Sequence, residues 1–293
     1  MSMSIGLKNS LRESVLKVEE SLNRLPLFCE ESLQAESCSY SISAGGKRLR
    51  PFLVLRSCEA LGGRVEDALP AACSVEMIHT YSLIHDDLPG MDDDDTRRGR
   101  PALHKVCGKE KAVFAGDRLL LESFRTLLGA DLPESTVTAM LYRLTRAAGA
   151  SFLVGGQFMD MYHPVVADRI WTERMITGKT SAMIRVSMEL GSLSAGFPKK
   201  ELEAISSIGD QVGWLFQLTD DILDVTGTSE EMGKAVSKDA GMGKWNPVNE
   251  LGVQGAKELA FRNAVSISRH LDTLDGDWSV IKELVEYLPE RRK

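Results

Sequence analysis

The stretch DQVGWLFQLTDDILDV, residues 210 to 225, decides how this chain folds. Its polar residues Gln217, Asp220, Asp221 and Asp224 fall at i, i+3, i+4 and i+7, one face of an α-helix, and Gly213 extends that stripe backwards. Most of the rest is apolar: Val212, Trp214, Leu215, Phe216, Leu218, Ile222, Leu223 and Val225. A helix on an outer surface carries an apolar stripe on a polar body. This one carries a polar stripe on an apolar body, the pattern of a buried helix lining a wet cavity. A solvated acidic face is the competing reading, and the apolar flanks weigh against it.

A second acidic cluster lies upstream at Asp86-Asp87-Leu-Pro-Gly-Met-Asp92, after an equally apolar lead-in from Cys73 to Leu88. His79 and Asp86, seven residues apart, share a face there, with Ser82 between them. An ideal helix would not bring Asp92 to that face, so Pro89 predicts a bulge or helix end that returns it. For Asp93 to Asp95, solvated charge and function are equally good readings. Unneutralised carboxylates on helices suited to burial cost several kcal/mol per ion. Hard divalent cations with oxygen ligands relieve that cost, so a Mg²⁺-diphosphate site between two helices is expected.

The 3.6-residue period runs through almost every other segment, without strict alternation or an Asn-Gly hairpin. The chain therefore reads as all-α. Joints are predicted at Gly45-Gly46, Gly62-Gly63, Pro89-Gly90, Gly99 to Pro101, Pro133, Gly155-Gly156, Pro164, Gly196 to Pro198 and the Gly-rich stretch from Gly227 to Pro247. No linker or fixed repeat interrupts the pattern, so one domain over 1–293 is expected. At 43% hydrophobic and 26% charged, the 293 residues can bury a substantial core. A net charge of -7 leaves no general footprint for nucleic acid or anionic membrane, so any anion site is local. Five widely spaced cysteines without a C-x-x-C pair read as reduced thiols. The amphipathic start lacks a signal-peptide core, and no stretch reaches the ~18 apolar residues of a membrane span. The cytoplasm is the expected compartment.

Basic residues supply the other half of a phosphate site. In Gly45-Gly46-Lys47-Arg48-Leu49-Arg50-Pro51 the glycines let backbone approach an anion, and Lys47 and Arg50 project from one side of a helix start. Arg97-Arg98 follows the first acidic cluster directly. Two decoys fail. Gly178-Lys179-Thr180 lacks the glycine a P-loop needs at Glu173, and His79, His85 and His104 lack zinc-site spacing.

Six ordered motifs, GGKRLRP (45–51), EMIHTYSLIHDDLPGMDDDDTRRGRP (76–101), GGQFMDM (155–161), GKTSAMI (178–184), FQLTDDILD (216–224) and GKAVSKDAGMGK (233–244), resemble the trans-isoprenyl diphosphate synthase family. The bacterial farnesyl type is the most similar. The resemblance implies an isoprenoid-synthase bundle of ten or more helices around a deep central cavity, usually a homodimer. It implies head-to-tail condensation of isopentenyl diphosphate with an allylic diphosphate. Asp86, Asp92, Asp220 and Asp224, with Asp87 assisting, would hold three Mg²⁺ ions. Arg97, Lys179 and Lys234, with Lys244 nearby, would contact the allylic diphosphate; Lys47, Arg50, His79 and Arg98 would hold isopentenyl diphosphate. Thr180 and Gln217 would face the reacting carbons.

In that family the product grows down the cavity from the Asp86 position. Tyr81, five residues earlier, and Ser82, four earlier, imply a floor suited to a farnesyl product rather than geranyl or geranylgeranyl. Ser237 and Trp245-Asn246 depart from the family pattern and bear on the lid expected over 227–247. A solvated terminus is expected at Arg291-Arg292-Lys293. A class I terpene cyclase would replace the second acidic motif, and a non-catalytic partner subunit would have lost carboxylates; all are present.

Overall fold

The structure, a computed structural model, describes residues 3–197, 202–226 and 245–291. Lys234, Lys244 and Ser237 lie outside the described residues, as do Arg292 and Lys293. The chain is all-α, as the period required. Its elements are α1 (Ile5–Asn23), α2 (Pro26–Cys29), α3 (Leu33–Ile42), α4 (Leu49–Ala60), α5 (Val65–Asp86), α6 (Leu103–Cys107), α7 (Lys109–Leu128), α8 (Glu134–Ala148), α9 (Leu153–Met161), α10 (Arg169–Ile176), α11 (Ala182–Ser194), α12 (Leu202–Thr226), α13 (Pro247–Leu271) and α14 (Ser279–Tyr287). Among the described residues the one β element is a two-residue antiparallel ribbon pairing Thr96–Arg97 with Arg100–Pro101, which folds the segment after the first acidic cluster back on itself.

Helices α4, α5, α11 and α12 form the centre. Helix α5 buries residues on every side, from Ala68, Ala71, Ala72 and Val75 to Met77, Ile78 and Tyr81, so it is enclosed by neighbours rather than laid on a surface. It packs on α4, α7 and α11, while α11 also meets α8 and α12. Helix α1 buries Leu7, Val18 and Leu22 and exposes its opposite face. Polar side chains start the outer helices: the Leu7 amide donates to Ser4 Oγ at 2.9 Å, and the Trp171 amide to Asp168 Oδ1 at 2.8 Å. No helix among the described residues is long and apolar enough to cross a membrane.

Gly155-Gly156, expected at a joint, instead lies inside α9. The reason is packing. A Cβ on Gly156 would stand 2.2 Å from the Lys179 backbone nitrogen, so glycine here permits a close helix crossing rather than a break.

Candidate active site

The first acidic cluster is built by a helix end. Helix α5 stops at Asp86, the Met91 amide donates to the Leu88 carbonyl at 2.9 Å, and the Asp92 amide donates to the Asp86 carbonyl at 2.8 Å. Gly90, at φ 98°, makes the reversal possible. The turn predicted from Pro89 is present, and Asp92 returns to Asp86. Burial pushes the Asp86 carboxyl up to about 7, against the pull of Lys179 and with repulsion from Asp92 added.

Asp87, expected to assist with metal, pairs with Arg97. It is 2% exposed, and its two oxygens accept from Arg97 Nε at 2.9 and 3.2 Å. Arg97 also reaches Asp94 at 3.1 Å, and Lys105 pairs with Asp95 at 2.6 Å, so part of the acidic run is neutralised locally. Burial alone would pull the Arg97 guanidinium down, but the Asp87 carboxylate outweighs it and holds it above its ordinary value.

On α12 the polar stripe stands as read. Thr180 Oγ1 donates to Gln217 Oε1 at 2.9 Å, and Gln217 Nε2 donates to Asp221 Oδ1 at 2.9 Å. Gln217 is thereby oriented from both sides. Asp224 is half-buried on the same face. Asp220 accepts from Arg291 at 2.6 Å, so Arg291 departs from the solvated terminus expected there. Arg291 is 6% exposed, donates to the Phe216 carbonyl at 3.0 Å and Thr219 Oγ1 at 3.1 Å, and lies 4.2 Å above the Phe216 ring. An aromatic ring, an acid and a hydroxyl on one helix together capture it.

Lys179 and Thr180 sit on a π-helical turn, Thr177–Ser181, between α10 and α11. Glycine makes its packing possible: a Cβ on Gly213 of α12 would stand 2.4 Å from Ser181 Cα, and one on Gly178 would stand 2.8 Å from the Phe152 carbonyl. Lys179 Nζ pairs with Asp160, a partner that reading the sequence missed. Its signal was the four-residue step from Gly156 to Asp160 on one face of α9. Burial pulls the Lys179 ammonium down, but Asp160, then Asp86 and Asp92, outweigh it and raise it.

The cations cluster at the start of α4. Lys47 is held below its ordinary value by burial and by Arg291, against Asp220. Burial pulls the Arg50 guanidinium down to about 10, and its Nε has no hydrogen-bond partner. His79 is pushed well below 6.5 by burial and the arginines 50, 98, 48 and 97 around it, so it is a neutral imidazole. Arg98 and Arg48 both meet Glu76, a buried carboxylate that, like Arg48, was not singled out from sequence.

Tyr81 is buried, with its ring edge-on to His85 at 5.7 Å between centroids. The Ser82 hydroxyl donates to the His79 carbonyl at 3.0 Å. A cavity of about 440 Å³ lies on the opposite side of α12, lined by Trp214, Trp245, Leu259, Arg169 and Asn263 among others. It adjoins none of the expected substrate residues.

An all-oxygen set of aspartates suits magnesium. Among the described residues no three His, Cys, Asp or Glu side chains already converge on one point.

Comparison with known proteins identifies the family. The family model described as Polyprenyl synthetase matches residues 31–270. The chain is 37% identical over 297 residues to a farnesyl diphosphate synthase of Micrococcus luteus, covering 100% of this chain and 98% of that one. It is 41% identical over 275 residues to a chloroplastic geranylgeranyl pyrophosphate synthase of Capsicum annuum, covering 92% and 74%. Its fold superposes with a TM-score of 0.85 on an FPP/GFPP synthase of Zymomonas mobilis, at 27% identity and 97% and 99% coverage. A geranyltransferase of Helicobacter pylori, complexed with magnesium and isoprenyl diphosphate, gives 0.84 at 29% identity and 99% and 98% coverage. The chain belongs to the polyprenyl synthetase family and is a prenyltransferase.

Proposed function

We propose that this prenyltransferase condenses isopentenyl diphosphate with dimethylallyl and then geranyl diphosphate, giving farnesyl diphosphate. One observation carries the reading: the turn at Gly90 returns Asp92 to Asp86 at the end of α5, within reach of the charges of Lys179 and Arg97, while α12 carries Asp220 and Asp224 on its own polar face. Two carboxylate clusters with cations beside them suit a metal-bound diphosphate.

Asp86, Asp92, Asp220 and Asp224 would hold magnesium, three ions in the full complex, with Asp87, which also fixes Arg97, assisting. Bound magnesium would neutralise the diphosphate as it leaves the allylic carbon. Lys179 and Arg97 meet the same leaving group with preset charge, which needs no reorganisation during reaction. Lys234 and Lys244 are proposed to join them. Thr180 and Gln217 present oxygen dipoles that stabilise an allylic cation without carrying a free nucleophile. Lys47, Arg50, Arg98 and neutral His79 hold isopentenyl diphosphate, so that its double bond attacks and the departing diphosphate takes the proton.

The buried Tyr81 above Ser82 supports a fifteen-carbon product. Geranyl and geranylgeranyl products are the alternatives, the latter favoured by the similarity to the Capsicum annuum protein. A single domain over 1–293, a homodimer and cytoplasmic residence belong to the same proposal. Phe114, Leu121 and Leu128, exposed at seven-residue steps along α7, supply an apolar face for a second copy. The test is incubation with Mg²⁺, isopentenyl diphosphate and dimethylallyl diphosphate, followed by sizing of the prenyl products. Absence of product from five-, ten- and fifteen-carbon primers alike sinks the proposal, and a twenty-carbon product replaces farnesyl with geranylgeranyl.

A further inference from the structure

Glu76 is 1% exposed, five residues before Tyr81 on the central helix α5, and has no part in the chemistry above. Its carboxylate is the meeting point of two arginines from separate loops. Arg48 Nη1 donates to Glu76 Oε1, and Arg98 Nη2 reaches the same oxygen at 3.4 Å. Both arginines have left-handed backbone, Arg48 at φ 47° and Arg98 at φ 54°. Among the described residues, Asp93 is the third non-glycine with positive φ, so two of three such strained positions converge on one acid. Strain of this kind persists where the surroundings over-determine it, and it clusters at ligand clamps.

The two arginines are used differently. Arg48 faces inward: it also donates to the Ile42 carbonyl and lies 3.6 Å from Glu19. It ties down the Gly45-Gly46-Lys47 loop. Among the described residues Arg98 is held at one edge, by Glu76, and its guanidinium lies against Gly46, where a Cβ would stand 3.1 Å from Cζ. The rest of its fork is left for a ligand. Arg50 makes no ion pair among the described residues, and Glu76 is the largest favourable charge acting on it. A half-buried guanidinium without a carboxylate partner calls for an anion.

We propose that Glu76 is the positioning residue of the isopentenyl diphosphate pocket. By holding Arg98 and the Arg48 loop in strained conformations, it aims Arg98, Arg50 and Lys47 at one diphosphate. It touches no substrate. The inference rests on the assignment of that pocket to isopentenyl diphosphate.

The test uses full-length Glu76→Gln, which keeps the shape and removes the charge, with steady-state kinetics for each substrate and calorimetric binding of isopentenyl diphosphate to the metal-free protein. KM for isopentenyl diphosphate is expected to rise tenfold or more, with binding weakened in step, while KM for the allylic substrate stays within twofold. If Glu76→Gln does not fold, the paired apolar change Arg48→Met with Glu76→Leu removes both buried charges at once, and the same split is expected because Arg98 still loses its anchor. A folded variant with unchanged KM and binding for isopentenyl diphosphate overturns the proposal, because Glu76 then only neutralises Arg48. Arg50→Met separates the two levels. If Arg50→Met raises only the allylic KM, the pocket assignment itself fails; if it raises the isopentenyl KM, that assignment holds and the Glu76 result is decisive.

Discussion

The amide of Asp92 donates to the carbonyl of Asp86 at 2.8 Å, closing the turn that brings two carboxylates from opposite sides of a helix end together. Gly90 is the residue that permits it, at φ 98° with no atom within 4 Å of the position an added Cβ would take. Gly90→Ala therefore costs backbone strain and no clash, about 1–2 kcal/mol. Denaturant unfolding should report that loss. Magnesium titration of activity should show a raised half-saturation, because Asp92 no longer returns. An unchanged magnesium requirement would separate the turn from the metal.

Gly213→Ala pushes a methyl to within 2.4 Å of Ser181 Cα, and backbone on both sides leaves no cheap relief. About 1–3 kcal/mol of stability should be lost to overpacking. Displacement of Thr180 should lower kcat roughly tenfold or more. Gly129→Ala, whose added Cβ makes only ordinary contacts at 3.6 Å or beyond, is the control and should behave as the parent.

His79 is neutral because burial and four arginines push it well below 6.5. In the unfolded chain it takes a proton near 6.5, so below that pH the unfolded state binds more protons and stability falls. The contribution is complete above 6.5 and is lost as pH drops. His79→Asn should flatten the acid side of the melting-temperature profile. Calorimetry at pH values either side of 6.5 measures it, and identical slopes in both proteins would place the acid sensitivity elsewhere.

Tyr81→Ala removes the ring that stands edge-on to His85 and opens the path down α5 by roughly one turn, about 5.4 Å. Products should lengthen beyond fifteen carbons. Chromatography of the dephosphorylated prenols decides, and retention of the parent product would put the floor at another residue.

Much of this site was legible from the chain. The stripe Gln217, Asp220, Asp221 and Asp224 is a local property of a helix, and the structure shows one continuous α12 carrying it. Pro89-Gly90 announced a helix end, and α5 ends there. Glycine pairs misled where packing rather than chain direction required them, as at Gly155-Gly156 inside α9. The π-helical turn under Lys179 has no pattern of its own, because it is forced by three close backbone crossings.

Sequence alone determined that the chain is helical and which polar residues share one face of α12, because periodicity and breakers act over a turn or two. Only the tertiary structure decided which charges are already taken: Asp87 by Arg97, Lys179 by Asp160, Asp220 by Arg291, and Glu76 by Arg48 and Arg98. Ion pairs between residues up to 71 positions apart depend on packing, and side chains at that separation leave no spacing to read.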